Sequence, residues 1–197
     1  TEQWVNIRDL GAKGDGFSDD THIFQEAVEK YANIYIPQGW YIVKEPLTLK
    51  QNTNLIGLHP GTTILLTLGG NLAFSGFGAP QAQLTTPQGG KNIVCGIFLN
   101  ADAYNYRAVN CKWMAGEGSY MYDVKFSGHD KARFFHNGQS AVNPLEKPMS
   151  ITPETHDLIT RAWDNQHWSL WITNGGGGSF RDIWTANEYS SAGLYIS

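Results

Sequence analysis

Charge is scarce in this chain. Only 16% of its 197 residues are Asp, Glu, Lys or Arg, and the formal net charge is −4. The Lys and Arg are scattered, so no basic field exists to draw in nucleic acid. No apolar run approaches the roughly 20 residues of a membrane-spanning helix. Cysteine is nearly missing, with Cys95 and Cys111 alone. Two Cys without clustered His exclude the usual four-ligand zinc site. They are either one disulfide or two buried thiols stacked on adjacent strands. No Asn-Gly turn joins neighbouring apolar runs at two-residue spacing, which weakens an antiparallel reading. No Gly-x-Ser-x-Gly elbow appears, and no Walker-type Lys-Ser/Thr follows a glycine run.

Glycine and aromatics fill the space that charge leaves. There are 22 Gly, and aromatics reach 13% with seven Trp. That mix suits a turn-rich β protein with a sticky aromatic surface. The length fits one domain with a real core.

The segment Asp9–Ile23 is a turn built on Gly14 and Gly16 that runs into Asp19-Asp20-Thr21. Residues 20–32 are predicted as a helix, because Ile23, Ala27, Val28 and Tyr31 form an apolar stripe of helical period. Asp19, Asp20 or Thr21 is the candidate cap. The acids Asp15, Asp19 and Asp20 have two readings, a metal or catalytic cluster and turn-and-cap chemistry; the second is favoured. After the helix, Ile34–Val43 is a β segment interrupted by Pro37-Gln38-Gly39.

Short strands follow. They are predicted at Asn54–Gly57, Thr63–Thr67, Ile93–Leu99, Ala108–Met114, Tyr122–Phe126, Ser169–Thr173, Phe180–Trp184 and Gly193–Ile196. An Asn or Asp before a branched aliphatic recurs at Asn54-Leu55, Asn92-Ile93, Asp123-Val124 and Asp182-Ile183. Steps of 38, 31 and 59 residues between them suit coils that carry loops of unequal length. Such a residue can bond its own turn backbone where the chain bends between sheets. Residues 136–166, with Pro144, Pro148 and Pro153, break the pattern and read as a long excursion.

The order of glycine turn, capped helix and interrupted strand resembles the start of right-handed parallel β-helix proteins of the pectate-lyase-like superfamily. The resemblance implies an all-β solenoid with an N-terminal capping α-helix that covers the first coil. Residues 1–45 would be the lead-in and cap, and residues 46–197 the coils of one domain. Two further stretches, Val109–Val124 and Trp171–Trp184, resemble coils of the family 55 glycoside hydrolases, two-β-helix enzymes that act on β-1,3-glucan. Most such β-helix proteins handle polysaccharides, so the expected partner is a neutral polysaccharide or oligosaccharide, and the expected location is secreted or cell-envelope. No cofactor or metal is implied. The chain ends inside a strand-like run, which suggests part of a larger protein or an assembly whose second β-helix domain or chain covers that end.

In family 55 the first of these coils carries a Gln and the second a Ser in a Gly-Ser-Gly-Gly run, expected to position the attacking water. The aligned positions here are Glu117 and Gly176. A Glu there can activate water as a general base. The family inverts, with carboxyls roughly 6.5–9.5 Å apart, and its proton-donating Glu belongs to the second β-helix. The bland reading of Glu117 is a solvated turn acid between two glycines. Gly175, Gly176 and Gly177, with Gly178, either cradle an anion through N–H groups or permit a tight turn close to a sugar ring. Trp163 and Trp168 flank the polar run Asp164–His167 and are candidate exposed sugar platforms. Asp164, Asp130 and His129 are candidate cleft residues, with surface polarity as the plainer reading. Two other functions stay open: a non-catalytic carbohydrate-binding or fibre β-helix, and a polysaccharide lyase. The lyase lacks a dense acid cluster outside the first segment. Gly128-His129-Asp130 is a poor stand-in for the polygalacturonase Gly-His-Gly.

Overall fold

In the early strands every second residue turns inward. Ile34 and Ile36 are buried while Tyr35 is half-buried, the period of two that a strand with one covered face requires. A computed structural model describes residues 4–102, 105–127, 135–136, 139–140, 165–185 and 190–197. Its strands are β1 (Trp4–Asn6), β2 (Asp15–Asp19), β3 (Asn33–Ile36), β4 (Gly39–Ile42), β5 (Leu47–Thr48), β6 (Asn54–Gly57), β7 (Thr63–Leu66) and β8 (Gln81–Thr85). They continue as β9 (Ile93–Asn100), β10 (Ala108–Trp113), β11 (Tyr120–Ser127), β12 (Phe135–His136), β13 (Gln139–Ser140), β14 (Asn165–Ile172), β15 (Ser179–Thr185) and β16 (Ser190–Ile196). The short β12–β13 pair is antiparallel, and the other pairings are parallel.

Two sheets face each other across the core. The facing sheet runs β16-β14-β10-β8-β5. The bent sheet starts as two limbs, β1-β3-β6 and β2-β4-β7. Both limbs join β9, and β11 and β15 follow. Ile93–Cys95 of β9 pairs with β6, and Phe98–Asn100 pairs with β7. Each turn of the chain visits one sheet and then the other, so the architecture is the right-handed parallel β-helix expected. Its core includes Leu55, Val94, Met121 and Val124 from the bent sheet, with Leu84, Cys111, Trp113 and Leu170 from the facing sheet.

The helix α1 (Thr21–Lys30) is shorter at its C-terminal end than predicted. It buries Phe24, Ala27 and Val28 against the first coil, while Ile23 and Tyr31 are half-buried at its flank. Asp20 precedes it but makes no side-chain cap bond. Its buried carboxylate instead accepts N–H bonds from Lys13 (2.7 Å) and Gly14 (3.0 Å) and so fixes the glycine turn.

The recurring Asn/Asp pattern joins two unlike positions. Asn54 lies opposite Ile93, not Asn92. Asn92 sits one residue earlier and donates from Nδ2 to the carbonyls of Lys50 and Thr53, both at 2.8 Å. Asp123 and Asp182 do align, because Val124 pairs with both Ile97 and Ile183. They share their column with Gly96. All three take positive φ, +64° at Gly96, +50° at Asp123 and +52° at Asp182. A left-handed residue there bends one continuous strand where the earlier coils use two strands and a linker.

The predicted strands are all present. The strand β8 escaped sequence reading because Gln83 is buried where an apolar residue is expected. Its Nε2 donates to Thr67 Oγ1 and the Asn100 carbonyl, and its Oε1 accepts from Asn110 Nδ2, each at 2.8 Å. A buried amide satisfied at both ends costs little. Cys95 and Cys111 are free thiols. They lie on different sheets, β9 and β10, rather than on adjacent strands. Burial pushes both thiols upward in pKa, with Asp123 adding to the effect at Cys95.

Candidate functional site

Where the facing sheet hands the chain to the bent sheet, four turns stack: residues 50–53, 86–92, 114–119 and 173–178. Backbone bonds tie each to the next. Lys91 N–H donates to the Gln51 carbonyl (2.7 Å), Gly116 N–H to Gly90 (2.8 Å) and Gly177 N–H to Ala115 (2.8 Å). Glycine recurs in the last three turns, and at some of its positions the neighbouring rung sits too close for a side chain. A Cβ at Gly176 would lie 2.5 Å from the Trp113 carbonyl oxygen, and one at Gly178 would lie 2.4 Å from that of Ser119.

Glu117 stands at the exposed tip of the third turn, between Gly116 and Gly118. Its turn is fixed by other groups. The Thr86 hydroxyl accepts N–H bonds from Met114 (2.7 Å) and Ala115 (2.9 Å). The Ser119 hydroxyl donates to the Gly90 carbonyl (2.9 Å) and accepts from Asn92 N–H (3.1 Å). Among the described residues no cation pairs with the Glu117 carboxylate.

The tetraglycine turn lies on the rung above, so the structure brings Glu117 and Gly175–Gly177 together. The anion-cradle reading does not hold at two of its four N–H groups. Gly176 donates to the Thr173 carbonyl (2.9 Å) and Gly177 to Ala115. The Gly177 carbonyl accepts from Trp113 Nε1 (2.8 Å). The tight-turn reading fits, with the neighbouring rung's backbone making the close approach at Gly176. Gly175 and Gly177 face open space.

The tryptophans do not form one cluster. Trp113 is core, fully buried, and edge-on to Phe180. Trp184 is exposed on the bent sheet, where Lys125 Nζ sits 4.8 Å from its ring centre. Trp168 and Trp171 belong to the facing sheet. Trp168, expected to be exposed, is half-buried. Its ring lies 4.1 Å from that of Tyr195 and 5.7 Å from that of Trp171, and its Nε1 is shielded from solvent. It sits four residues before the end of β14, about 13 Å along the strand from the corner. Trp163, Asp164, Asp130 and His129 lie outside the described residues. So does most of the 136–166 excursion.

The outer face of the facing sheet carries groups that were not counted in the site. Lys112 pairs in register with Trp171, and Trp171 with Tyr195. Lys112 Nζ sits 4.5 Å over the Trp171 ring, a cation–π contact. Trp171 Nε1 donates to Ser197 Oγ (3.2 Å). The alternation Leu170-Trp171-Ile172 and Leu194-Tyr195-Ile196 is the sequence signal that sets these rings outward. The aromatic face leads into the corner, since Trp171 is the last residue but one of β14.

The acids of the first segment are structural. Asp15 accepts from Ser18 N–H (2.7 Å) and Phe17 N–H (2.9 Å), which together with the Ser18 hydroxyl hold it below the usual carboxylate range. Burial pushes Asp19 upward, but the Thr21 hydroxyl and N–H and the Lys44 ammonium outweigh it and leave its pKa lowered. Among the described residues no group of three metal-ligating side chains exists. Nor is any helix there long and apolar enough to cross a membrane.

Residues 4–94 match the family described as "Rhamnogalacturonase A/epimerase, pectate lyase-like". Plasmin and fibronectin-binding protein A of Streptococcus pneumoniae is 40% identical over 67 residues, 31% of this chain and 9% of that protein. Mannuronan C5-epimerase AlgE2 of Azotobacter vinelandii is 39% identical over 77 residues, 33% of this chain and 8% of that protein. Glucan 1,3-beta-glucosidase of Cochliobolus carbonum is 33% identical over 67 residues, 26% and 8%. The chain thus spans under a tenth of the length of each of these relatives. The catalytic unit of the GH87 α-1,3-glucanase from Streptomyces thermodiastaticus superposes with a TM-score of 0.56 at 15% identity, covering 98% of this chain and 32% of that one. At that identity the likeness bears on fold alone. The winding is that of a parallel β-helix, residues 4–94 are similar to a pectate-lyase-like family, and the relatives include carbohydrate-active proteins.

Proposed function

We propose that this β-helix holds a neutral polysaccharide such as a β-1,3-glucan at the Glu117 corner and supplies the water-activating carboxylate of an inverting glycoside hydrolysis. The observation that carries this reading is the state of Glu117. Its carboxylate is exposed and unpaired among the described residues, while Thr86 and Ser119 hold its turn. A base so placed is fixed in position and open to water.

In the reaction Glu117 takes a proton from water, and the water oxygen bonds to the anomeric carbon. The glycosidic C–O bond breaks, and its electron pair stays on the leaving oxygen, which a carboxylic acid protonates. The two carboxyls of such a pair stand roughly 6.5–9.5 Å apart. The three turns stacked with that of Glu117 contain no other acid, so the proton donor belongs to another segment. By the family 55 resemblance that segment is a second β-helix domain or chain. Gly175–Gly177 form a low floor, and Trp168 holds a sugar ring beside Trp171 and Tyr195; Trp163 and Asp164 are further candidate sugar contacts. Such a protein works outside the cytoplasm, secreted or on the cell envelope.

A second reading, a non-catalytic carbohydrate binder, is favoured by that same absence of a second acid. Release of reducing ends from β-1,3-glucan separates the readings. Hydrolysis releases them, a lyase adds an ultraviolet-absorbing unsaturated product, and a binder releases nothing. Glu117→Ala is the informative variant, because the resemblance makes Gln a tolerated residue at this position.

A further inference from the structure

The turn on the rung above Glu117 opens with an exposed Asn-Gly pair, Asn174-Gly175. Both residues are left-handed, with φ of +53° and +75°. The Gly176 N–H donates to the Thr173 carbonyl (2.9 Å) and closes a four-residue turn around them. Positive φ at both central positions makes this a type I′ turn, for which Asn followed by Gly is the preferred pair. Backbone conformation explains the residue types, and their chemistry is a further consequence.

An asparagine loses its amide when the backbone nitrogen of the next residue attacks its side-chain carbon. Here the attacking nitrogen is free, since the Gly175 N–H takes part in none of the backbone bonds that tie the turn. The approach is open, because even a Cβ on Gly175 would meet nothing within 4 Å. The leaving amide is weakly held. Asn174 Nδ2 donates to Met114 Sδ (3.2 Å), and a thioether is a weak acceptor. Other asparagines lack this combination. Asn92 is fully buried, its Nδ2 donates to two carbonyls, and β-branched Ile93 follows it. Asn52 is exposed, but the Thr53 N–H after it donates to the Lys50 carbonyl (3.1 Å).

We infer that Asn174-Gly175 is a site of spontaneous deamidation that loosens the candidate corner as the protein ages. The Gly175 nitrogen bonds to the Asn174 side-chain carbonyl carbon. The bond from that carbon to Nδ2 breaks, and Nδ2 leaves as ammonia with the proton that Gly175 gives up. Water then opens the resulting cyclic imide. Opening at one carbonyl gives Asp, and opening at the other gives isoaspartate, whose main chain runs through the side-chain methylene. Either product puts a carboxylate on a turn that has none. Only isoaspartate lengthens the backbone. A longer chain between Thr173 and Gly176 misfits the bond that closes the turn, and with it the Gly177 bond to the Ala115 carbonyl that docks the turn on the rung of Glu117. Glu117 itself is unaltered.

The test incubates the purified protein at warm, mildly alkaline pH and follows it by peptide mapping that separates Asn, Asp and isoaspartate. Asn174 converts at least about fivefold faster than Asn52, the factor that one hydrogen bond on the attacking nitrogen supports, and Asn92 stays intact. In the isoaspartate form, amide hydrogen exchange at Gly177 accelerates about fivefold, as the loss of one hydrogen bond predicts. Asn174→Asp adds the charge on an ordinary backbone and leaves that exchange unchanged. Asn174→Gly keeps a left-handed turn without an amide, and its Gly177 exchange does not change on incubation. Conversion of Asn174 no faster than that of Asn52 overturns the site. Unchanged Gly177 exchange after conversion, or an equal acceleration in Asn174→Asp, overturns the loosening by a lengthened backbone. None of these readouts depends on a glycan, so the reading of Glu117 stands or falls separately.

Discussion

Two sets of acids in this molecule meet opposite fates. In the first segment Asp15, Asp19 and Asp20 each accept bonds from nearby backbone N–H groups. At the corner the same task falls to the hydroxyls of Thr86 and Ser119, and Glu117 is left over. A carboxylate that accepts from backbone donors is committed to holding its own turn. One whose turn is built by neutral groups remains available. Residue type does not separate the two cases; the donors around the carboxylate do.

The comparison breaks most visibly at Asp20. Asp20→Ala removes a buried acceptor from two backbone donors and should cost about 3 kcal/mol, since bonds to a charged group are worth roughly 1.5–3 kcal/mol each. Urea denaturation checks it, and a cost near zero would mean that the acid is as dispensable to folding as Glu117. The glycines sharpen the contrast within the corner. Gly178→Ala places a Cβ against the Ser119 carbonyl at a φ of +98° and should cost about 2 kcal/mol. Gly177→Ala meets open space and should change stability by under about 0.5 kcal/mol. Equal melting temperatures for the two variants would contradict the packed rung.

Smaller effects are expected at the bend and in acid. Asp123→Gly copies the Gly96 rung and relieves a left-handed residue, for a gain of about 0.5 kcal/mol, read as a modest rise in Tm. Asp15 and Asp19 have folded pKa values lowered from an ordinary 3.8. Their stabilisation is complete above that unfolded value and is lost as pH falls through the lowered folded values. Hydrogen exchange around Phe17–Thr21 should therefore accelerate below about pH 4, while exchange at the corner near Glu117 stays unchanged. A corner that opens first would reverse the assignment of the two sets.

The winding was legible because apolar residues alternate in strands such as Asn33–Ile36 and because turn residues punctuate them. Helix α1 announced itself by its stripe. Less legible was any element whose inside is polar. Gln83 and Asn110 satisfy each other across adjacent rungs, a fact that depends on stacking register. Register also explains the misaligned repeat, since Asn92 and Asp123 look alike in sequence yet serve a turn and a bend. At the site, Glu117 and the glycine turn could be paired through resemblance to a known coil. Lys112, Trp171 and Tyr195 come together only when three strands stack, and the half-burial of Trp168 follows from neighbours 27 residues away in sequence, such as Tyr195.

The most direct measurement compares Glu117→Ala with the unaltered protein in reducing-end release from β-1,3-glucan and in thermal unfolding, under one set of conditions. If Glu117 is the free acid of the corner, release falls at least a hundredfold, the usual contribution of a general base, while Tm shifts by no more than a degree or two. Undiminished release from the variant, or a collapse of Tm as large as that of Asp20→Ala, would contradict it.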